Sequence, residues 1–332
     1  MRIPTLDDIR AAAKRIAPVA VRTPLLRSDA LEARVGGPAF VKAECLQRGG
    51  AFKIRGAYNK IASLSEDERA RGVLAYSSGN HAIAVATAAK LFGVPAVIVM
   101  PADAPRAKLE RTRALGAEIV TFDRVRESRE AISAQLETER KLPVVRPFDD
   151  PLVMAGQGTI GQEIAEDLAT LGLHDAVVVS PASGGGLAGG VAMALEGVAR
   201  VYAVEPEGHD DLKRSVAAGE IVANAPGVRS ICDALMALQP SDLTLAVARS
   251  KLAGIFTVSD DDVRRAMRFG FEELKLVIEP GGAAGLAAAL KGLAPKAGAL
   301  VVIASGGNVD AEMFASAIAS VIPDDAQRRS GT

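Results

Sequence analysis

A chain of 332 residues with a formal net charge of −1 presents no general basic field to draw nucleic acid or an anionic lipid surface. With 49% hydrophobic and 24% charged residues it has the profile of a globular protein, which excludes a disordered chain and leaves core enough for one large domain or two ordinary ones. Its two cysteines, Cys45 and Cys232, make neither a disulfide framework nor a zinc cluster and read as buried thiols in a reducing compartment. The first 18 residues carry Asp7, Asp8, Arg10, Lys14 and Arg15, so no secretory leader is expected, and the apolar stretches elsewhere are too short for a membrane span. With no tryptophan and three tyrosines there is little to stack single-stranded bases upon. These features together imply a cytoplasmic protein acting on small molecules.

In chain order, Thr5 followed by Asp8 marks a helix start, and the spacing predicts an amphipathic helix over 7–16. Thr23-Pro24-Leu25 is extended, 39–44 reads as a strand, and a helix is expected over 54–64, just after Lys53. A strict alternation follows: strands at 73–76, 96–100 and 118–122, with helices from Ala82 to Phe92, from Pro105 to Leu115 and over about 127–141 between and after them, then 143–145. A long helix over 151–171 precedes a second series of strands at 176–180, 201–204 and 299–304, with several helical stretches among them. A last helix over 311–321 and a frayed polar tail, 324–332, close the pattern, and no regulatory domain is expected after Asn308. Strands this apolar, alternating with helices, predict an α/β fold with open, mostly parallel sheets covered on both faces. The expected organisation is a large unit, 1–69 and 148–332, with a smaller one, 70–147, inserted into it.

Ligands collect outside the carboxyl ends of parallel strands, and three polar, glycine-rich loops stand there: 77–81, 183–190 and 305–308. In Ser183-Gly184-Gly185-Gly186-Leu187-Ala188-Gly189-Gly190, successive glycines expose backbone N–H groups at a helix start, which favours an anion. Gly184, Gly186 and Gly189 also satisfy a dinucleotide fingerprint, and Glu205 stands about 20 residues on, so taken alone this segment reads as a Rossmann oxidoreductase. That reading leaves Lys53 and Ser77-Ser78-Gly79-Asn80-His81 unused and lacks an evident hydride-site residue, with only His81, His174 and His209 to choose from. His174 is expected in an exposed turn. Lys53, with apolar neighbours after Gly49-Gly50, is suited to losing its proton, and a neutral amine attacks a carbonyl to form a Schiff base. The plainer alternative for any single lysine is a solvated surface group.

The combination resembles the fold-type II pyridoxal-phosphate enzymes (tryptophan synthase β-like), specifically the threonine dehydratase and serine racemase family. The resemblance is carried, in order, by Phe52-Lys53-Ile54-Arg55-Gly56-Ala57, Ser77-Ser78-Gly79-Asn80-His81, Ala155-Gly156-Gln157-Gly158-Thr159-Ile160, Ser183-Gly184-Gly185-Gly186 and Ser305-Gly306-Gly307-Asn308. It implies that Lys53 holds the cofactor and takes the substrate Cα proton, and that the amides of Gly184, Gly185, Gly186 and Leu187 bind its phosphate. It implies further that Asn80 bonds the ring hydroxyl, Phe52 packs on the ring, Glu279 belongs to the cofactor contacts and Ser305 faces the ring nitrogen. Ser77, Ser78, Asn80 and His81 would cradle the substrate carboxylate, with Arg129 as a further candidate, and Ser78 matches the second base of racemases. Glu205, Asp211 and the His209 carbonyl match a loop that binds a divalent cation, Mg²⁺ or Ca²⁺.

The same resemblance implies a homodimer and a β-elimination that turns L-threonine or L-serine into a 2-oxo acid and ammonia. A 3-hydroxyaspartate dehydratase, with Arg129 and Arg146 supplying charge for a second carboxylate, and a serine racemase are the alternatives. Departures from the family pattern stand at Ile83-Ala84, where Gln-Gly is usual, at Cys232-Asp233-Ala234 for Ala-Asp-Gly, at Glu279-Pro280-Gly281-Gly282 for Glu-Pro-Ser-Gly and at Arg146-Pro147 for His-Pro. Ile83 and Ala234 are expected near the substrate side chain, which leaves substrate identity open.

Overall fold

The computed structural model describes residues 2–104, 106–123 and 126–319. From the N-terminus the elements are α1 (Leu6–Ile16), β1 (Leu25–Arg27), α2 (Asp29–Val35), β2 (Ala39–Lys42), α3 (Lys53–Ala62) and α4 (Glu66–Arg71). Next come β3 (Val73–Tyr76), α5 (Asn80–Phe92), β4 (Ala96–Pro101), α6 (Arg106–Ala114), β5 (Glu118–Phe122), α7 (Arg129–Arg140) and α8 (Pro151–Thr170). The remainder comprises β6 (Ala176–Pro181), α9 (Gly186–Ala194), β7 (Ala199–Pro206), α10 (Asp211–Ala218), α11 (Asp242–Lys251), β8 (Gly254–Val258), α12 (Asp260–Leu274), α13 (Pro280–Leu290), β9 (Ala299–Ile303) and α14 (Ala311–Ala319).

Two sheets result. The larger has the order β1-β2-β9-β6-β7-β8, and all its pairs are parallel except β1 with β2. The smaller, β3-β4-β5, is wholly parallel. The chain therefore leaves the large sheet after β2, builds the small one, and returns at β6. Its central strands are apolar on both faces because helices cover both: β6, β9 and β4 are buried at every position. On one side of the large sheet Val177, Val179 and Val302 pack with α13, and on the other Val178, Val301 and Ile303 pack with α8 and α9.

The sequence expectations for β3 and β5 match the observed strands, and others differ in instructive ways. Glu44 leaves the predicted strand to begin a short 3₁₀ turn, Glu44–Leu46, and Lys53 is itself the first residue of α3. The helix expected from 127 starts at Arg129, because the Ser128 hydroxyl caps the Ala131 amide. Residues 143–145 run beside β3 through the Val144–Leu74 bridge without forming a longer strand. The short elements α2, α4 and β8 went unnamed in the sequence. Pro105 and the predicted 320–321 helix end and 324–332 tail lie outside the described residues. Both cysteines are buried, and burial pushes each thiol up to about 12, as inert core residues require. Among the described residues no helix is long and apolar enough to cross a membrane.

The contact between α3 and α8 matters most for function, since α3 begins with Lys53. Two glycines let these helices meet backbone to backbone: a Cβ on Gly156 would stand 2.6 Å from the Gly56 Cα and 2.7 Å from the Arg55 carbonyl oxygen. Gly156→Ala is therefore expected to force the helices apart at a cost of about 1–3 kcal/mol. Urea unfolding of the purified variant, with an unchanged midpoint as the contrary result, checks this.

Candidate active site

One cavity gathers the ends of many elements. Its lining includes Lys53 at the start of α3, the 77–81 turn after β3, the 183–187 turn after β6, the 233–237 segment, Glu279 before α13 and Ser305 after β9. This is the carboxyl-end crevice expected of parallel sheets, drawn here from both sheets at once.

Lys53 is half-buried, and among the described residues its side chain makes one hydrogen bond, from Nζ to the Pro147 carbonyl oxygen at 2.8 Å. No carboxylate among the described residues pairs with it, and burial lowers its pKa to about 8. Nζ lies 5.1 Å from the centroid of the Phe52 ring, and Phe52 is held in turn by its amide bond to the Ser305 carbonyl. The cavity thus contains an amine that gives up its proton far more readily than an ordinary lysine.

Facing it is an anion cradle. Among the described residues none of the backbone N–H groups of 183–187 has an acceptor, and α9 begins at Gly186, adding its dipole. Glycine is required here for two separate reasons. Gly185 has φ +87°, and a Cβ on Gly184 would stand 2.5 Å from the Phe148 ring.

The second turn, 77–81, ends in α5. The amides of Ser78, Asn80 and His81 likewise have no acceptor among the described residues, whereas the Gly79 amide donates to the Ser77 hydroxyl at 3.1 Å. The Asn80 side-chain amide donates to Glu279 Oε1 at 2.5 Å, and its oxygen accepts from Asn308 Nδ2 at 2.9 Å. Glu279 is buried with Oε2 unpartnered, and burial raises its pKa to about 7. In His81 the ring is turned to the protein and the backbone amide to the site. Burial, with the Lys53 charge, lowers its pKa to about 3, and Nε2 lies 2.7 Å from the Val145 carbonyl, to which it donates. Nδ1 then carries no proton, and His81 has only its backbone amide to offer a carboxylate.

The cations are placed differently from the expectation. Arg129 lies at the rim, stacked 4.9 Å from the Tyr76 ring centroid and paired with its neighbour Glu130 at 2.5 Å. Arg146 does not line the cavity; it pairs with Asp149 at 3.0 Å, half exposed. Ile83 is also absent from the lining, because α5 leaves the cavity within its first turn and Ile83 packs under Gly49. Ala234 does line it. The residue that sequence reasoning missed is Lys108, on the buried face of α6, where it lines the cavity and pairs with Asp233. The 106–113 run reads as a solvated basic face, but Ala104, Lys108 and Thr112 recur at helical spacing and all three are buried.

Glu205, His209 and Asp211 lie elsewhere, the first near the end of β7, the second between it and α10, and the third at the start of α10. Glu205 and Asp211 are fully buried, and burial together with their mutual repulsion raises Glu205 to about 9, while burial raises Asp211 to about 6. Glu205 accepts the Leu212 and Lys213 amides, Asp211 Oδ1 accepts Asn224 at 2.7 Å, and Asp211 Oδ2 has no partner. The His209 ring turns away to the Val228 carbonyl. Among the described residues no third His, Cys, Asp or Glu side chain joins the two carboxylates. Buried outside the cavity, Glu205 has no access to a ribose beside the glycine turn, which removes the acid that the dinucleotide reading needs.

Comparison with known proteins agrees with this geometry. The profile of the family described as "Pyridoxal-phosphate dependent enzyme" matches residues 16–306. The L-threo-3-hydroxyaspartate ammonia-lyase of Saccharomyces cerevisiae is 41% identical over 323 residues, covering 96% of this chain and 97% of that protein. The L-threonine ammonia-lyase of Thermotoga maritima is 41% identical over 315 residues, covering 93% of this chain and 77% of that protein. The solved structure of maize serine racemase superposes with a TM-score of 0.88 at 38% identity, covering 100% of both chains. An unpaired lysine opposite a glycine anion cradle, on a fold shared with ammonia-lyases and racemases, places this chain in the family of fold-type II pyridoxal-phosphate dependent enzymes.

Proposed function

We propose that this protein is a pyridoxal-phosphate dependent ammonia-lyase that dehydrates and deaminates L-threonine or L-serine to a 2-oxo acid and ammonia. The observation that carries the reading is the convergence on one cavity of an unpaired lysine and two turns of unpartnered amides. The residues fit the cofactor: a side chain on Gly184 would fill the cradle, and Lys53 lacks any competing carboxylate. When bound, pyridoxal phosphate supplies an aldehyde for an amino group and a ring that draws electrons from the Cα–H bond. Lys53 would hold it, the 184–187 amides would take its phosphate, Asn80 its ring hydroxyl and Ser305 its ring nitrogen, with Phe52 and Glu279 beside them.

The remaining roles fall to the second turn. The amides of Ser78, Asn80 and His81, with the Ser77 and Ser78 hydroxyls, orient the substrate carboxylate, and Arg129 adds charge from the rim. Lys53, desolvated and neutral in part, takes the Cα proton; the β-hydroxyl departs with a proton as water. Ser78 is the candidate for a second proton carrier, which would add racemase activity. Support for a neutral β-substituent comes from the two cations at the cavity, since Lys108 and Arg129 each already have a carboxylate partner. The presence of Lys108 in the lining favours 3-hydroxyaspartate as the second reading.

The reading also assigns a divalent cation to Glu205 and Asp211. Two buried carboxylates with no ion-pair partner among the described residues, one with an orphaned oxygen, fit a hard cation whose other donors are carbonyls and water.

Ammonia release from L-threonine, L-serine and L-threo-3-hydroxyaspartate, compared as kcat/KM, decides the substrate. A preference for hydroxyaspartate of about a hundredfold, roughly 2.7 kcal/mol, would replace the lead substrate. Cofactor uptake by the apoenzyme is expected to accelerate about tenfold per pH unit below pH 8 and to level off above it, as Lys53 loses its proton. A rate still climbing at pH 10 would mean an ordinary lysine. Adding Mg²⁺ or Ca²⁺ in excess of its dissociation constant should raise the melting temperature of the wild type, by up to about 2.7 kcal/mol of stabilisation at a hundredfold excess, and not that of Glu205→Gln; equal shifts in both would remove the assignment.

A further inference from the structure

Lys108 and Asp233 meet across the mouth of the cavity, one from α6 beside the small sheet and the other from the Asp233–Leu235 turn. Lys108 is 7% exposed, and Asp233 is its only ion-pair partner among the described residues. Its Nζ lies 3.5 Å from where a Cβ on Gly79 would stand, against the turn assigned above to the substrate carboxylate. The next residue along the turn, Ala234, lines the same cavity. Glu279 feels both charges, Lys108 lowering and Asp233 raising its proton affinity, so the pair sits within electrostatic reach of the cavity floor. An ammonium is a compact point charge with three donors and exchanges one carboxylate for another without a change of geometry.

Resting on the functional reading above, we propose that the Lys108–Asp233 ion pair determines which β-substituent the enzyme accepts. Asp233 occupies the cation that a second substrate carboxylate would need, and its own charge repels such a carboxylate. The cavity with the pair intact prefers the neutral side chains of threonine and serine. With the charge at 233 removed, Lys108 becomes the receptor for the β-carboxylate of a four-carbon dicarboxylate. Asp233 is thus a specificity residue acting through Lys108, and Arg146 takes no part.

The test uses holoenzyme of the wild type, Asp233→Asn, Lys108→Met and the double variant. In Asp233→Asn the ratio of kcat/KM for L-threo-3-hydroxyaspartate over L-threonine is expected to rise at least about tenfold, and in the Lys108→Met background the same change should leave the ratio unmoved. An unchanged ratio, an equal fall for all substrates, or a rise that persists without Lys108 overturns the inference; the equal fall would make the pair only a tie across the cavity mouth. Binding of succinate against butyrate, followed through the cofactor absorbance, gives a second readout that needs no turnover. Tighter succinate binding in Asp233→Asn alone supports the inference, and no gain overturns it. Failure of the wild type to release ammonia from any β-hydroxy amino acid would instead overturn the functional reading, with the ion pair still decided by the binding ratio.

Discussion

The seating of α3 rests on a largely buried charge network. Arg55, two residues after Lys53, is fully buried and makes a fork to Glu44 at 2.7 and 2.9 Å and another to Glu163 at 2.7 and 3.0 Å. Lys42, also fully buried, reaches Glu163 at 2.6 Å and the Thr23 carbonyl at 2.6 Å. Two cations and two carboxylates balance, and against a burial that alone would loosen its proton, Glu44 and Glu163 hold the Arg55 guanidinium firmly charged. Removing one member of such a group leaves a buried charge uncompensated, at a cost of about 3–5 kcal/mol. The network joins β2, α3 and α8, the elements that set where Lys53 emerges. With the glycine contact between α3 and α8, it makes the lysine's position a property of the core.

Within the cavity the electrostatic logic is reversed. Arg55 is paired with Glu44 and Glu163 and is held charged, whereas Lys53 has no carboxylate partner among the described residues and burial lowers its proton affinity toward that of a base. The unpartnered backbone amides at the starts of α9 and α5 are suited to anions, since they carry no counter-charge to be neutralised and no side-chain entropy to lose. Glu279, whose pKa burial raises to about 7, accepts from Asn80 and, through it, is linked to Asn308, so contributions from both sheets meet beside the cradle.

A frame of this kind serves ammonia-lyases and racemases alike, as the relatives' names attest, because both begin by removing the same Cα proton. Ser78, Lys108, Arg129, Asp233 and Ala234 all line the cavity, and they are the side chains on which the proposed choice of substrate rests. The resemblance in fold extends over the whole chain and does not by itself decide the reaction.

The amino-acid sequence alone determined the α/β alternation, the apolar parallel strands, the glycine turns at strand ends and the lysine among small residues. Each depends on local rules: hydrophobic period, helix caps, and the conformational freedom of glycine at Gly185. Local rules could not say which side of α6 is wet, so they gave Lys108 no role and offered Arg146 instead. Nor could they show that the His81 ring spends its proton on Val145, far along the chain, or that Ile83 is carried out of the cavity by the pitch of α5. Those outcomes depend on which segments meet after the chain has left the large sheet and returned to it. The tertiary structure alone decided the partner of each charge, and in a buried site the partner decides whether a residue binds, catalyses or merely supports.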